Sequence, residues 1–260
     1  MTNLGIDIGA SAVKLAAARD GKLIFKRYIN GHPDILEAME SSGIDPRRLH
    51  RIALTGLGST GVDTKKLVAP CKLVDEFQAA GTGARVLSGR GRLVAASVGT
   101  GTAYISVDGD KIAHIGGTGV GGGTLCGLGS LLGFDSAETL LRAAMDGSLA
   151  NVDLSIGDIR PGSDFLDPRI TAANLAKISP EATKNDWAAG ITNLILQVVG
   201  SMALFAARTA DVSSVVLTGA LVTSEAAQIN FHNFQKIYGI EFLIPPHAEC
   251  ATAFGAALLV

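Results

Sequence analysis

The sequence predicts an α/β protein of two similar lobes around a shared cleft, and three observations carry that prediction. A strand, a turn of glycine plus a hydroxyl residue and a returning strand occur at Leu4 to Ala18 and again at Leu93 to Val107, about ninety residues apart, which marks an internal duplication. A third apolar strand, Val215 to Thr218, runs into Gly219-Ala220, the kind of strand end where open α/β sheets receive ligands. Between these lies Gly116 to Thr124, nine residues of which six are glycine, two threonine and one valine. So dense a run costs backbone entropy and is tolerated where something approaches the main chain closely or φ is positive. The expected visitor is phosphate, because amides without side chains converge on an anion ahead of a helix, here read into Leu125 to Leu132. A flexible linker would instead be serine-rich and polar around its glycines.

Composition narrows the class. At 260 residues, 47% hydrophobic and 18% charged, the chain can bury a large core as one big domain or two small ones. The mean hydropathy is +0.34, yet no uninterrupted apolar run reaches the length of a membrane span and no signal-peptide core opens the chain, so a cytoplasmic protein without a membrane partner is expected. A net charge of -2 with scattered Lys and Arg offers nucleic acid no basic field. Cys71, Cys126 and Cys250 are too widely spaced for a zinc or disulfide framework and read as buried small apolar residues, and the five histidines form no His-x-x-x-His pair.

Taken in order, Leu4 to Ala18 and Leu23 to Tyr28 read as a β-meander with Asp20-Gly21 between its last two strands. Asp7 points opposite to Ile6 and Ile8 and sits where the first strand meets Gly9-Ala10-Ser11. With Lys14 close behind, it forms a corner suited to an anion and a metal. Pro33 to Ser41 reads as a helix with Pro33 in its first turn, and Arg51 to Thr55 as a strand before Gly56. Asp75 and Glu76 cannot share one strand face, and by themselves read as solvated acids. Asp135-Ser136-Ala137-Glu138 has the capping-box pattern with Asp135 as cap, opening a helix through Met145. Asn151 to Asp164 reads as a loop with strand-like Leu154 to Ile159, and the segment to Pro180 as partly helical. From Asp186 to Ala210, Trp187, Ile191, Leu194, Ile195, Val198, Met202 and Phe205 recur at helical spacing and predict a core helix whose Gly190 and Gly200 allow close packing. Phe242 to Ile244 is the last strand and Cys250 to Leu258 a closing helix of small residues.

These residues resemble the actin-like ATPases and sugar kinases, whose two phosphate hairpins, adenosine turn and connecting C-terminal helix are matched at Asp7 to Lys14, Ser97 to Val107, Leu217 to Leu221 and Ala251 to Leu258. Within that superfamily the chain is most similar to type II pantothenate kinases. The specific match is Gly117 to Thr124 continuing to Gly127-Leu128, which looks like that family's Gly-Thr-x-x-Gly-Gly-Gly-Thr segment. Gly147 to Gly157 with Asp158-Ile159 is similar to a second family stretch. The resemblance implies a two-lobe actin-like (ribonuclease H-like) fold, with a duplicated mixed sheet flanked by helices. Residues 1–91 would form the N-terminal lobe, with 250–260 packing back on it, and 92–249 the C-terminal lobe.

The resemblance further implies transfer of the γ-phosphoryl group of ATP, with Mg²⁺, to the terminal hydroxyl of pantothenate, in a homodimer. Glu76 matches the family's catalytic base. Asp7 would hold the metal, and Gly9, Ser11, Lys14, Thr100, Gly101, Thr118, Gly121, Gly122, Gly123, Thr124 and Gly219 would bind the nucleotide. Gly99, Thr100, Ala103 and His114 would face the acceptor beside Glu76. Two positions depart from the pattern: His114 stands where the family has an arginine, and Ala103 where eukaryotic relatives have a serine. Imidazole has less reach than guanidinium and lacks its bidentate fork. Both changes fall on the acceptor side, which leaves a kinase for pantetheine or an amino sugar, or a non-catalytic nucleotide sensor, as alternatives. The glycine run also satisfies Gly-x-Gly-x-x-Gly, but without a βαβ unit ending in a ribose-binding acid, and the chain contains no Gly-Lys-Ser/Thr.

Overall fold

The computed structural model describes residues 1–161 and 167–260. Its first sheet begins with the expected meander, β1 (Thr2–Ile8), β2 (Ala12–Arg19) and β3 (Lys22–Asn30). Asp20 and Gly21, at φ of 51° and 75°, supply the left-handed pair that a two-residue hairpin turn requires. α1 (Ile35–Ser41) starts later than expected: Asp34 caps it, accepting from the Leu36 and Glu37 amides, so Pro33 precedes the cap. β4 (Arg51–Thr55) and β5 (Cys71–Leu73) then add parallel strands, giving the order β3-β2-β1-β4-β5. α2 (Glu76–Ser88) follows, with Asp75 as its cap.

The second half repeats the first. β6 (Arg92–Val98), β7 (Thr102–Asp108) and β8 (Lys111–Thr118) form another meander. β11 (Ser214–Thr218) and β12 (Glu241–Leu243) join β6 in parallel, so β8-β7-β6-β11-β12 reproduces the first sheet's order. Between β8 and β11 run α3 (Gly122–Leu131), α4 (Ala137–Met145), β9 (Leu154–Ser155), α5 (Ile156–Ile159), β10 (Thr171–Ala173) and α6 (Lys184–Thr209). α7 (Glu225–Tyr238) crosses from β11 to β12, and α8 (Ala251–Leu258) closes the fold. The duplicated mixed sheet read from the two hairpins is therefore present, strand for strand.

Several local expectations are corrected. α4 is capped by Ser136, not Asp135: the Ser136 hydroxyl accepts from the Thr139 amide and Thr139 returns the bond, one residue out of register with the expected box. Leu154 to Ile159 holds only two strand residues before turning into α5. Of the segment to Pro180, the described part contains β10 and no helix, and residues 162–166 lie outside the described set. Asp75 and Glu76 open a helix, so the strand-face argument does not apply to them. Cys250 alone of the three cysteines is buried, while Cys71 is half-buried and Cys126 exposed.

α6 is the core helix of the second half, but its buried stripe is not the expected one. Ala188, Ile191, Ile195, Val199, Ala203 and Ala207 face inward, whereas Trp187, Leu194, Val198 and Met202 are half-buried and Phe205 is 61% exposed. The large residues suggested the wrong face because small ones allow neighbouring layers to approach. Gly200 shows why, since a Cβ there would lie 2.9 Å from the Phe234 ring. By length and composition α6 passes for a membrane span, yet 67% of its apolar window is buried within the fold.

The two halves are joined by an exchange. α8 lies on the first sheet, where Ala253, Phe254 and Ala257 pack with Ala16 and Ala18. α2 lies on the second, where Ala80 and Ala84 meet Leu93, Ala95 and Ile105. The helices also cross each other at backbone distance. A Cβ on Gly83 would sit 1.9 Å from the Ala251 carbonyl oxygen, and one on Gly255 equally close to that of Ala79. Gly255→Val should therefore force α2 and α8 apart and destabilise the protein by on the order of 3 kcal/mol, read as a lowered urea midpoint at unchanged slope.

Candidate active site

Alternation along β1 sets the first functional side chain. Leu4, Ile6 and Ile8 enter the core beneath α1, so Gly5 and Asp7 face α8 and the space between the halves. Asp7 lies opposite Lys14 on β2, and Lys14 opposite Tyr28 on β3. These cross-strand pairs place the Lys14 ammonium 3.2 Å from Asp7 Oδ2 and 5.9 Å from the Tyr28 ring centroid. Burial raises the Asp7 carboxyl above its ordinary range, and the Lys14 charge opposes that rise without cancelling it.

Glu76 is the first residue of α2, anchored by the bond from the Gln78 amide to Asp75. It is half-buried, unlike exposed Asp75. Burial raises its carboxyl above the usual glutamate range, the Asp7 charge adds to the rise, and Lys14 works against it. Asp7, Lys14 and Glu76 all border one cavity of about 1100 Å³ between the halves.

Both hairpin turns open onto the same cavity. The first is closed by the Gly9 amide bonding to the Ala12 carbonyl, the second by Gly99 bonding to Gly101. They meet across the cavity, with Ser11 Oγ 2.8 Å from Thr100 Oγ1. Gly9, Ser11, Gly99, Thr100, Gly101 and Ala103 therefore lie together as expected. Gly219 joins them at φ +110°, where a Cβ would fall 1.9 Å from the Val98 carbonyl oxygen.

The glycine run has a different local role from the expected anion cradle. Its first part completes β8 and its last part begins α3. The Gly122 and Gly123 amides donate to the carbonyls of Gly99 and Thr100, and the Gly121 amide to Thr124 Oγ1. Their hydrogen-bonding capacity is thus taken up by the protein itself. A Cβ on Gly121 would lie 2.8 Å from the Gly101 carbonyl and one on Gly123 2.9 Å from that of Thr100. The close visitor that requires glycine is the second hairpin turn. Gly122 and Gly123 still border the cavity; Gly121, Thr118 and Thr124 do not, and both threonine hydroxyls are occupied by neighbouring backbone groups.

His114 is likewise not among the cavity-lining residues. It is exposed on β8 with its ring stacked on Phe77, centroids 4.2 Å apart and planes 15° from parallel. The second family-like stretch braces the fold: buried Asp153 accepts from the Leu175 amide at 2.8 Å and from Asn193 Nδ2 at 2.7 Å.

Sequence reasoning missed the far end of the cavity. There Leu141 and Met145, one turn apart on α4, face Leu221 and the start of α7 at Ser224 and Glu225. These apolar side chains and Gly219 line the same cavity, and apolar lining of this kind suits a planar ring system. The spacing of Leu141 and Met145 on the helix was the available signal, but it reads equally as ordinary core.

Two duplicated sheets, two hairpin turns meeting over a cleft and a helix exchanged between the halves define the two-lobe fold of the actin-like ATPases and sugar kinases. Solved structures agree. The activator of the 2-hydroxyisocaproyl-CoA dehydratase from Clostridium difficile, with bound ADPNP, is similar at a TM-score of 0.71 and 16% identity, covering 100% of this chain and 94% of that one. A ROK family glucokinase from Streptomyces griseus, in complex with glucose and AMPPNP, gives a TM-score of 0.65 at 12% identity, with coverage of 100% and 99%. The chain belongs to the Fumble family, whose model matches residues 93–238. A type II pantothenate kinase of Oceanobacillus iheyensis is 29% identical over 271 residues, 99% of each chain.

A carboxyl whose pKa is raised on folding penalises the folded state when ionised, so its stability is fully present below the unfolded pKa and is lost as pH rises through the folded one. Glu76→Gln should therefore raise the thermal midpoint at neutral pH, with the gain shrinking as the medium is acidified, as followed by circular dichroism across a pH series.

Proposed function

We propose that this chain is a pantothenate kinase, transferring the γ-phosphoryl group of ATP to the terminal hydroxyl of pantothenate to form 4′-phosphopantothenate, the first step of coenzyme A synthesis. The observation that carries the reading is the meeting, on one cavity, of the buried Asp7–Lys14 pair and a half-buried Glu76 whose carboxyl lies above its ordinary range. The fold alone does not choose a reaction, since its solved neighbours include both an activator and a glucokinase. The full-length likeness to a relative named a type II pantothenate kinase supports pantothenate as acceptor.

In this reading catalysis is mainly positioning and electrostatics. The turns at Gly9 and Ser11 and at Thr100 and Gly101 receive the triphosphate from opposite lobes. The slot between Leu141, Met145 and Leu221 takes the base beside Gly219. Glu76 accepts the proton of the acceptor hydroxyl as the phosphoryl group leaves ADP, and a carboxyl held above its usual range is a stronger base for that task. Lys14, released from Asp7, meets phosphate charge. The donor chemistry fits Mg²⁺, since the Asp7 carboxylate on the cavity suits an ion that keeps its waters and binds substrate phosphates. Asp7 would hold it, and the ion would neutralise charge developing on the phosphates.

The lobe limits belong to the same proposal, residues 1–91 with 250–260 and residues 92–249, as do a cytoplasmic location and a homodimer. The exposed Phe205 ring on α6 supports the last.

An ADP-release assay with MgATP should give turnover with pantothenate above that with pantetheine or N-acetylglucosamine. Turnover of a sugar without pantothenate would overturn the assignment. Glu76→Gln should retain ATP binding by calorimetry while kcat falls by about a hundredfold or more. For the native protein, kcat/KM should decline on the acid side through a pKa above 4.5, the ordinary glutamate value, because only the ionised base is active. An acid limb at or below that value would remove Glu76 from the role.

A further inference from the structure

Leu57 is the most exposed large apolar side chain on the cavity wall, open over 82% of its surface. Leaving a leucine in water forgoes the free energy its burial would return. The backbone nevertheless fixes it there. Gly56, at φ +85°, lies so close to the end of β1 that a Cβ would be 2.6 Å from both Asp7 Oδ1 and the Ile8 carbonyl oxygen. On the other side of Leu57, a Cβ on Gly58 would be 2.4 Å from Ile8 Cγ2. The Ser59 amide bonds back to the Gly56 carbonyl at 3.0 Å, and Ser59 is itself buried. Two glycines and a buried serine thus clamp the loop onto β1 and hold Leu57 out into the cavity.

Sheet order says which part of the cavity this is. β1, β4 and β5 are parallel neighbours, so their carboxyl ends deliver Asp7, Leu57 and, through the short link into α2, Glu76 in that spatial sequence. The Gly9 turn leads the other way, from β1 toward β2. Strand order therefore puts the loop that carries Leu57 between the strand ends that lead to Asp7 and to the proposed base.

We propose that Leu57 is a specificity-determining residue that covers an apolar branch next to the acceptor's reacting hydroxyl. The proposal rests on the pantothenate reading and deepens it, because in pantothenate the carbon beside the terminal CH₂OH carries two methyl groups. A sugar hydroxyl has only polar neighbours and would leave Leu57 uncovered.

Kinetics with pantothenate and its analogue lacking both methyl groups test this in the wild type, Leu57→Ser and Leu57→Met. Serine should raise KM for pantothenate by about threefold to tenfold, in the range of one or two methyl contacts at an open wall, while KM for ATP and the thermal midpoint hold. It should leave the demethylated analogue nearly unaffected, and methionine should restore most of the wild-type preference. If pantothenate is phosphorylated but Leu57→Ser changes neither its KM nor the preference for the methylated substrate, this inference fails and the kinase assignment stands. If wild-type protein neither binds pantothenate by calorimetry in the presence of ADP and Mg²⁺ nor phosphorylates it with MgATP, both fall together.

Discussion

The close crossing of α2 and α8 is the constraint on which the rest of the structure depends. Each helix follows the last strand of its own half and lies on the sheet of the other. Gly83 and Gly255 bring the two backbones into contact, and Gly5 lets β1 approach α8 equally closely. This places the end of β1, with Asp7, and the start of α2, with Glu76, on one cavity. A wider crossing would carry these carboxylates apart, and with them the mutual repulsion that helps raise Glu76. Small residues at the crossing are therefore a condition of the shared cavity as well as of the fold.

The cleft also concentrates electrostatic tension. Asp7 is buried, Glu76 half-buried, and Lys14 is the cation that holds them. Burying acids raises the free energy of the folded state, and the site resembles others in which stability is surrendered for reactivity. Tyr28 supports Lys14 from the next strand, so its position is set by cross-strand register and does not depend on a mobile loop.

Glycine serves three separate purposes here, which the sequence does not distinguish. At Gly21 it completes a tight hairpin turn. At Gly83 and Gly255 it permits helix contact. In the run before α3 it lets the start of that helix buttress the second hairpin turn, consuming amides that seemed free for an anion. The hairpin turns thus meet over the cleft, with the glycine run behind one of them. His114, next to that run in sequence, lies stacked on Phe77 outside the cavity lining.

The sequence by itself determined the duplication, the first meander, the second hairpin, the strand entering Gly219 and the Asp7–Lys14 corner. These are local patterns: strand alternation, turn chemistry and cross-strand register are written in neighbouring residues. It also predicted the core helix α6, with Ile191 and Ile195 on the buried face, but not that Phe205 is exposed while alanines fill the rest of that face. Only the tertiary structure decided which amides stay free, that Glu76 opens a helix at half burial, that Leu141 and Met145 line the cavity, and that Leu57 is held out on its wall. Each of these depends on contacts between segments far apart in the chain, and hydrophobic pattern records how apolar a residue is without recording what will cover it.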